Sequence, residues 1–225
     1  MAKRFLILVL TAVICTQPAH AVWFDSLVND IPSDKEFVSR PIYNDTDRTN
    51  LYTVSAFKID KPGKDGEHRV NANELELLWA PLKFSISSHG TEYFKLYYRG
   101  PKDDVERYYR VIFKESPVRM FPKNDTGHHL QVLPVTSMST FLIVRPRNMR
   151  LKYSVDENQG VIENSGNTFF RVIIQKGCDG DDEHSRQFYM LPGEKFKDGS
   201  VNAKNRKFIV ANKKYFPLGN ACFKP

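Results

Sequence analysis

From residue 37 onward, short runs rich in Val, Ile, Phe and Tyr alternate with clusters of Gly, Pro, Asn and Asp. That pattern is the signature of β-strands joined by turns. Residues 37–43 run into Asn44-Asp45-Thr46-Asp47. Residues 51–59 place Leu51, Thr53, Ser55, Phe57 and Ile59 on one face and Tyr52, Val54 and Ala56 on the other, then stop at Asp60-Lys61-Pro62-Gly63. Residues 75–79 lead to Ala80-Pro81, and 82–86 resume the apolar pattern. Residues 93–98 and 107–114 flank Gly100-Pro101-Lys102-Asp103-Asp104 and read as a hairpin. Residues 130–144 form a further apolar stretch, interrupted by Pro134. Only 71–78 offers a competing helical pattern, and it is too short to set the fold class.

Arg145-Pro146-Arg147 puts a proline directly after a strand with charge on both sides, which marks a boundary. A second strand set follows at 153–155, 161–163, 169–175, 188–191 and 207–211. Strands at near-regular spacing with turn punctuation predict antiparallel sandwiches. The first 21 residues stand apart. Lys3 and Arg4 precede the apolar run 5–15, and Ala19-His20-Ala21 supplies a small-x-small cleavage site. Residues 1–21 therefore read as a secretory signal peptide. What remains is about twice the ~100 residues of an immunoglobulin-type domain, and it divides into domains at 22–145 and 146–225.

Composition sharpens this picture. Of 225 residues 41% are apolar, with 16 Phe and 10 Tyr, enough to build packed cores and to exclude global disorder. No stretch reaches the ~20 apolar residues of a membrane span. The net charge of +7 suits an acidic partner without specifying nucleic acid. Cys15 leaves with the signal, so an exported chain keeps Cys178 and Cys222, most simply one disulfide. The chain-entropy model values that closure at roughly 4 kcal/mol.

Catalytic signatures are missing: there is no Gly-x-Ser-x-Gly, His-Glu-x-x-His or Gly-rich phosphate loop. His128 and His129 are adjacent, so on a strand they would point to opposite faces and could not share a metal. Asp179-Gly180-Asp181-Asp182-Glu183 lacks the spacing of a calcium loop. Basic and aromatic residues interleave at 93–99 and 107–110 as a nucleic-acid platform would use them, but an exported address argues against that partner.

The segment Tyr93-Phe94-Lys95-Leu96-Tyr97-Tyr98-Arg99-Gly100-Pro101, continued by Glu106-Arg107-Tyr108-Tyr109-Arg110-Val111, resembles periplasmic pilus chaperones. It is most similar to the alternate, common-pilus branch of chaperone–usher systems. Phe37-Val38-Ser39-Arg40, Ile143-Val144-Arg145-Pro146-Arg147, Asn164-Ser165-Gly166-Asn167-Thr168 and Tyr189-Met190-Leu191-Pro192-Gly193 match in the family's order. The resemblance implies an all-β, boomerang-shaped pair of immunoglobulin-like sandwiches with no enzymatic activity and no cofactor or metal. It implies a periplasmic protein, not membrane-embedded, whose partners are pilin subunits and an outer-membrane usher. Self-capping by dimerisation is left open.

Such chaperones lend an edge strand to subunits that lack one, so that main-chain hydrogen bonds give affinity and alternate apolar side chains give selectivity. The lending strand here is the one entering Arg145, and Leu130, Val132, Leu133 and Val135 are its candidate donor side chains. Basic residues should anchor the subunit's C-terminal carboxylate. The more familiar branch uses an Arg on the first strand and a Lys four residues before the Arg-Pro junction. That second position is Phe141 here, and residues 22–34 hold no Arg or Lys. The alternate branch has a basic residue after its Phe-Val-Ser-type stretch, which is Arg40. Lys95, Arg99 and Arg110 are candidates for the second anchor. The family's junction ion pair maps onto Glu106 and Arg145, while its third, acidic member has only Asn212 as a counterpart. Two other readings compete: a secreted immunoglobulin-like adhesin or pilus structural subunit, and a β-sandwich hydrolase, which the missing motifs disfavour.

Overall fold

The computed structural model describes residues 22–63, 67–71, 73, 75–118, 135–220 and 222–223. The signal segment 1–21, His128, His129, and the donor candidates Leu130, Val132 and Leu133 lie outside those residues. Two sheets built from residues 22–144 face each other. One has the order β1 (Val22–Trp23), β3 (Phe37–Asn44), β7 (Thr91–Tyr98), β5 (Leu77–Ala80). The other runs β2 (Val28–Ile31), β9 (Thr136–Val144), β8 (Arg107–Pro117), β4 (Asn50–Ile59), β6 (Lys83–Ile86). Tyr52 and Val54 of β4, Phe94 and Leu96 of β7, and Val111 and Phe113 of β8 fill the space between them. These are the inward half of each alternating pattern.

A second pair of sheets follows the Arg145-Pro146-Arg147 junction. Strands β10 (Tyr153–Asp156), β11 (Val161–Asn164) and β14 (Lys195–Lys197) form one. The other has the order β13 (Arg186–Met190), β12 (Phe170–Ile174), β15 (Lys207–Ala211), β16 (Lys214–Pro217). A helical turn, α1 (Gly199–Asn202), closes that core with Val201. The fold is thus two β-sandwiches of immunoglobulin-like type. Cys178 and Cys222 are bonded in the second, Sγ to Sγ 1.97 Å. Beside them the fully buried Lys207 reaches Glu157 at 2.8 Å, and that carboxylate also accepts the Asn220 N–H at 3.1 Å. No helix among the described residues is long and apolar enough to cross a membrane.

One expectation needs correction. Strands β7 and β8 do not form a hairpin: β7 pairs with β3 and β5, whereas β8 pairs with β4 and β9. Both strands carry an apolar face, and each buries it against the same core from opposite sides. Phe94 meets Phe113 with ring centroids 4.7 Å apart, and Tyr98 meets Tyr109 at 6.4 Å. The connection therefore crosses between sheets, and its corner is tightly held. Asp103 accepts both Arg107 guanidinium nitrogens at 2.6 and 2.7 Å, while buried Glu76 accepts from Tyr109 Oη at 2.6 Å and Lys58 Nζ at 2.8 Å. Gly100 sits in this corner because a Cβ there would lie 2.4 Å from Tyr98 Oη and 2.6 Å from Glu76 Cγ.

Candidate subunit-binding edge and cleft

Strand β9 is covered on one side along only part of its length. On one side it pairs with β8 over its whole length, from Glu115↔Thr136 to Arg107↔Val144. On the other, β2 runs parallel to it only from Val28↔Phe141 to Ile31↔Val144. The Phe141 N–H donates to Leu27 O at 2.8 Å, which fixes the direction of that group toward the β2 side. Successive residues of a strand send their N–H and C=O to opposite sides. Ser139 and Ser137 therefore present theirs outward, where no strand among the described residues lies. An unpaired strand edge of this kind is a template for another chain. Val135, just ahead of the strand, is half exposed, while Thr140 and Leu142 are buried on the core side.

Where β2 and β9 run out toward the second sandwich, a cleft of about 1040 Å³ opens between the sandwiches. Its walls include Asp30, Glu36, Phe37, Arg40, Arg145, Met149, Asn212 and Lys213. Arg40 Nε donates to the buried Asn29 Oδ1 at 2.9 Å. That bond fixes the guanidinium against β2 and leaves its two terminal nitrogens facing the cleft without a partner among the described residues. The other proposed cations lie elsewhere. Lys95 is exposed on the outer face of β7, opposite Ser39. Arg110 is engaged on the outer face of β8, donating to both Glu67 carboxylate oxygens and, at 3.0 Å, to Ser139 Oγ. Its guanidinium also stacks 3.7 Å from the Phe141 ring centroid. Arg99, exposed just past the end of β7, is not among the cleft walls either, so of the four candidates the structure brings only Arg40 into the cleft.

At the floor of the junction, Arg145 and Glu106 come together. Arg145 Nη1 lies 3.5 Å from Glu106 Oε2 and donates to Thr168 Oγ1 at 2.6 Å and Phe169 O at 3.0 Å. The Thr168 hydroxyl in turn donates to Glu106 Oε2 at 2.6 Å, and the Phe169 N–H and Tyr108 Oη donate to the same carboxylate. The second acid is Asp30 of β2, 3.2 Å from Arg145 Nε. Asn212, the sequence counterpart of the family's third member, instead faces Met149 from the cleft wall. Around this polar knot, Ile59, Tyr108 and Ile143 pack against Phe169 and Leu191 of the second sandwich. Sequence reading missed the roles of Asp30 and Thr168, isolated polar residues in segments with no periodicity to single them out.

Burial pushes the Glu106 carboxyl above the ordinary carboxylate range, against the opposing pull of the Thr168 and Tyr108 hydrogen bonds and the Arg145 charge. A carboxyl raised in the folded state binds its proton more tightly there than in the unfolded chain. Its contribution to stability is fully present below the unfolded value of about 4.3 and is lost as pH rises through the folded one. We expect the denaturant midpoint of the wild type, relative to Glu106→Gln, to rise as pH falls from 7.5 toward 5. A difference that stays flat over that range would show an unperturbed carboxylate.

Comparison with known proteins places this architecture. No family model matches the chain. It is 35% identical over 217 residues, 95% of its length and 92% of the relative's, to the Escherichia coli O127:H6 protein named "Probable fimbrial chaperone EcpE". It is 24% identical over 212 residues to the E. coli O157:H7 protein named "Probable fimbrial chaperone EcpB", covering 93% of this chain and 95% of that one. Among solved structures, the E. coli chaperone DraB aligns with a TM-score of 0.55 at 13% identity, over 89% of this chain and 96% of the other. The periplasmic chaperone SfaE aligns at 0.54 with 12% identity, over 88% and 99%. A two-sandwich fold and this degree of identity over nearly the whole chain settle the class: the chain belongs to the fimbrial chaperone family.

Proposed function

We propose that this protein works in the periplasm, after loss of residues 1–21, as a chaperone that captures pilin subunits by donor-strand complementation and delivers them to an outer-membrane usher. The observation that carries this reading is the half-covered edge of β9. A subunit strand laid there would pair with the outward N–H and C=O of Ser137 and Ser139. It would also be screened from the edge-to-edge aggregation that open strands invite. Val135, with Leu130, Val132 and Leu133 ahead of it, would supply the apolar side chains, because Ser137 and Ser139 carry none. Residues 22–145 form the subunit-binding domain in this reading, and residues 146–225 the second wall of the cleft.

Arg40 would hold the subunit's terminal carboxylate through charge-assisted hydrogen bonds from the guanidinium nitrogens that Asn29 leaves free. Losing one such contact, worth about 1.5–3 kcal/mol, lowers affinity roughly tenfold or more. The test is co-purification from the periplasm of a co-expressed pilin subunit with wild type and with Arg40→Ala. Arg40→Ala should stay folded and lose most of its subunit. Full capture by the folded variant would move the anchor away from Arg40.

A further inference from the structure

We propose that the buried Lys207 is the hub of a clamp that brings Cys178 and Cys222 together in the folded, still reduced chain. Their disulfide then closes on a finished second sandwich and not on an unfolded one. Lys207 and its partner Glu157 are positioning residues for this thiol oxidation, and the other reactant is an external disulfide oxidant. The inference is independent of subunit capture, so its failure would leave that reading untouched.

The cysteines are 44 residues apart in sequence, and each is held by contacts that involve no sulfur. Cys178 follows a turn at the end of β12. There the Gln175 N–H donates to Arg206 O at 2.9 Å, the Arg206 N–H to Gly177 O at 2.9 Å, and the Gly177 N–H to Asn205 Oδ1 at 2.8 Å. Cys222 follows β16. The Leu218 N–H donates to Lys207 O at 2.9 Å while its side chain is buried in the core, and the Asn220 N–H donates to Glu157 Oε2 at 3.1 Å. Gly219, at φ 75°, passes so close to Glu157 that a Cβ would lie 2.5 Å from Oε1. Just beyond the cysteine, the Phe223 ring meets Phe208 with centroids 5.4 Å apart.

Lys207 joins the two sets. It is wholly buried, its Nζ lies 2.8 Å from Glu157 Oε1, and it donates to Asn205 O at 3.1 Å. Glu157 holds the segment before Cys222, and Asn205 holds the turn before Cys178. Burying an ammonium is costly unless it is paired and hydrogen-bonded, and here every partner belongs to one of the two cysteine segments or holds one. Once the disulfide exists it secures those segments by itself, so the clamp matters most before the bond forms. Both cysteines are only partly buried, which leaves them open to an oxidant. One thiolate attacks the oxidant's disulfide and releases half of it as a thiol. The second thiolate then attacks the mixed disulfide and releases the other half, so two electrons and two protons pass from the cysteine pair to the two released thiols. Holding the second thiol beside the first speeds that closing step. In an unfolded chain the same step waits on closure of a long loop.

The test uses the full chain, reduced under native conditions and mixed with glutathione disulfide, with peptide masses reporting glutathione adducts on Cys178 or Cys222 and the closed bond. Folded wild type should close without accumulating adduct. The same chain in urea should accumulate it and close at least about tenfold more slowly. Lys207→Met keeps the length of the side chain with apolar atoms, and Glu157 is exposed enough to be hydrated, so the oxidised variant should hold its thermal midpoint near that of wild type. Reduced and folded, it should accumulate adduct as the unfolded chain does. Gly219→Ala drives the segment off Glu157 without touching the core; it should behave in the same way, and it decides the matter if Lys207→Met does not fold. Wild type that accumulates adduct as readily folded as in urea would overturn the proposal, as would closure at the wild-type rate in either folded variant. A lowered midpoint for oxidised Lys207→Met, with closure unchanged among its folded molecules, would make Lys207 a purely structural residue and would overturn it too.

Discussion

Arg145→Ala is expected to destabilise the protein by about 3–5 kcal/mol, the penalty for leaving a buried ion-pair partner alone. The Glu106 carboxylate is only 1% exposed on its side chain, and Arg145 is the cation nearest to it. The same substitution removes the donor to Thr168 Oγ1 and Phe169 O and the guanidinium lying 3.9 Å from the Phe169 ring centroid. It also frees Asp30, but that side chain is partly exposed and can be solvated, so its loss adds little. Arg145→Lys should recover only part of the difference, because an ammonium cannot serve Asp30, Thr168 and Phe169 at once in the fork geometry of a guanidinium. Denaturant titration of the three proteins checks this. A change below ~0.5 kcal/mol for Arg145→Ala would mean that the junction does not depend on this residue. Because the network joins β2, the start of β8 and the first residues of the second sandwich, the variant should also loosen the angle between the sandwiches.

What could be read from the sequence follows from what a one-dimensional pattern encodes. Alternation marks strands and their buried faces, so Tyr52 and Val54, or Phe94 and Leu96, declare themselves as core. It does not say which sheet a strand joins. Hence 93–98 and 107–114 looked like a hairpin and in fact lie in opposite sheets. Short strands such as β1 and β2 carry too few residues to show a period, and β2 interposes Asn29 and Asp30 between its apolar positions. Yet those two side chains position Arg40 and neutralise Arg145. The pair Glu106 and Arg145 was legible only because flanking motifs resembled a family that uses such a pair. Arg110 shows the limit from the other side. Its exposed face follows from alternation, but its partner Glu67 lies 43 residues away in sequence. Only the folded chain could show that this arginine is already engaged.

The central claim, that the outer edge of β9 is the surface lent to a subunit, is tested most directly by Ser139→Pro with Ser139→Ala as its control. Proline removes one N–H and puts a ring in its place, and it is tolerated on a strand where that N–H faces an open edge. The Ser139 N–H points away from β8, so the ladder inside the sheet survives. Both variants lose the hydroxyl that accepts from Arg110, which isolates the effect of the backbone group. An incoming strand would lose the hydrogen bond and meet the ring, a penalty of at least about 3 kcal/mol or roughly a hundredfold in affinity. Measured as pilin subunit co-purified per folded chaperone, Ser139→Ala should keep capture within a few-fold of wild type, and Ser139→Pro should lose it almost completely. Wild-type capture by a folded Ser139→Pro protein would contradict the account, because no strand could then be pairing along that edge.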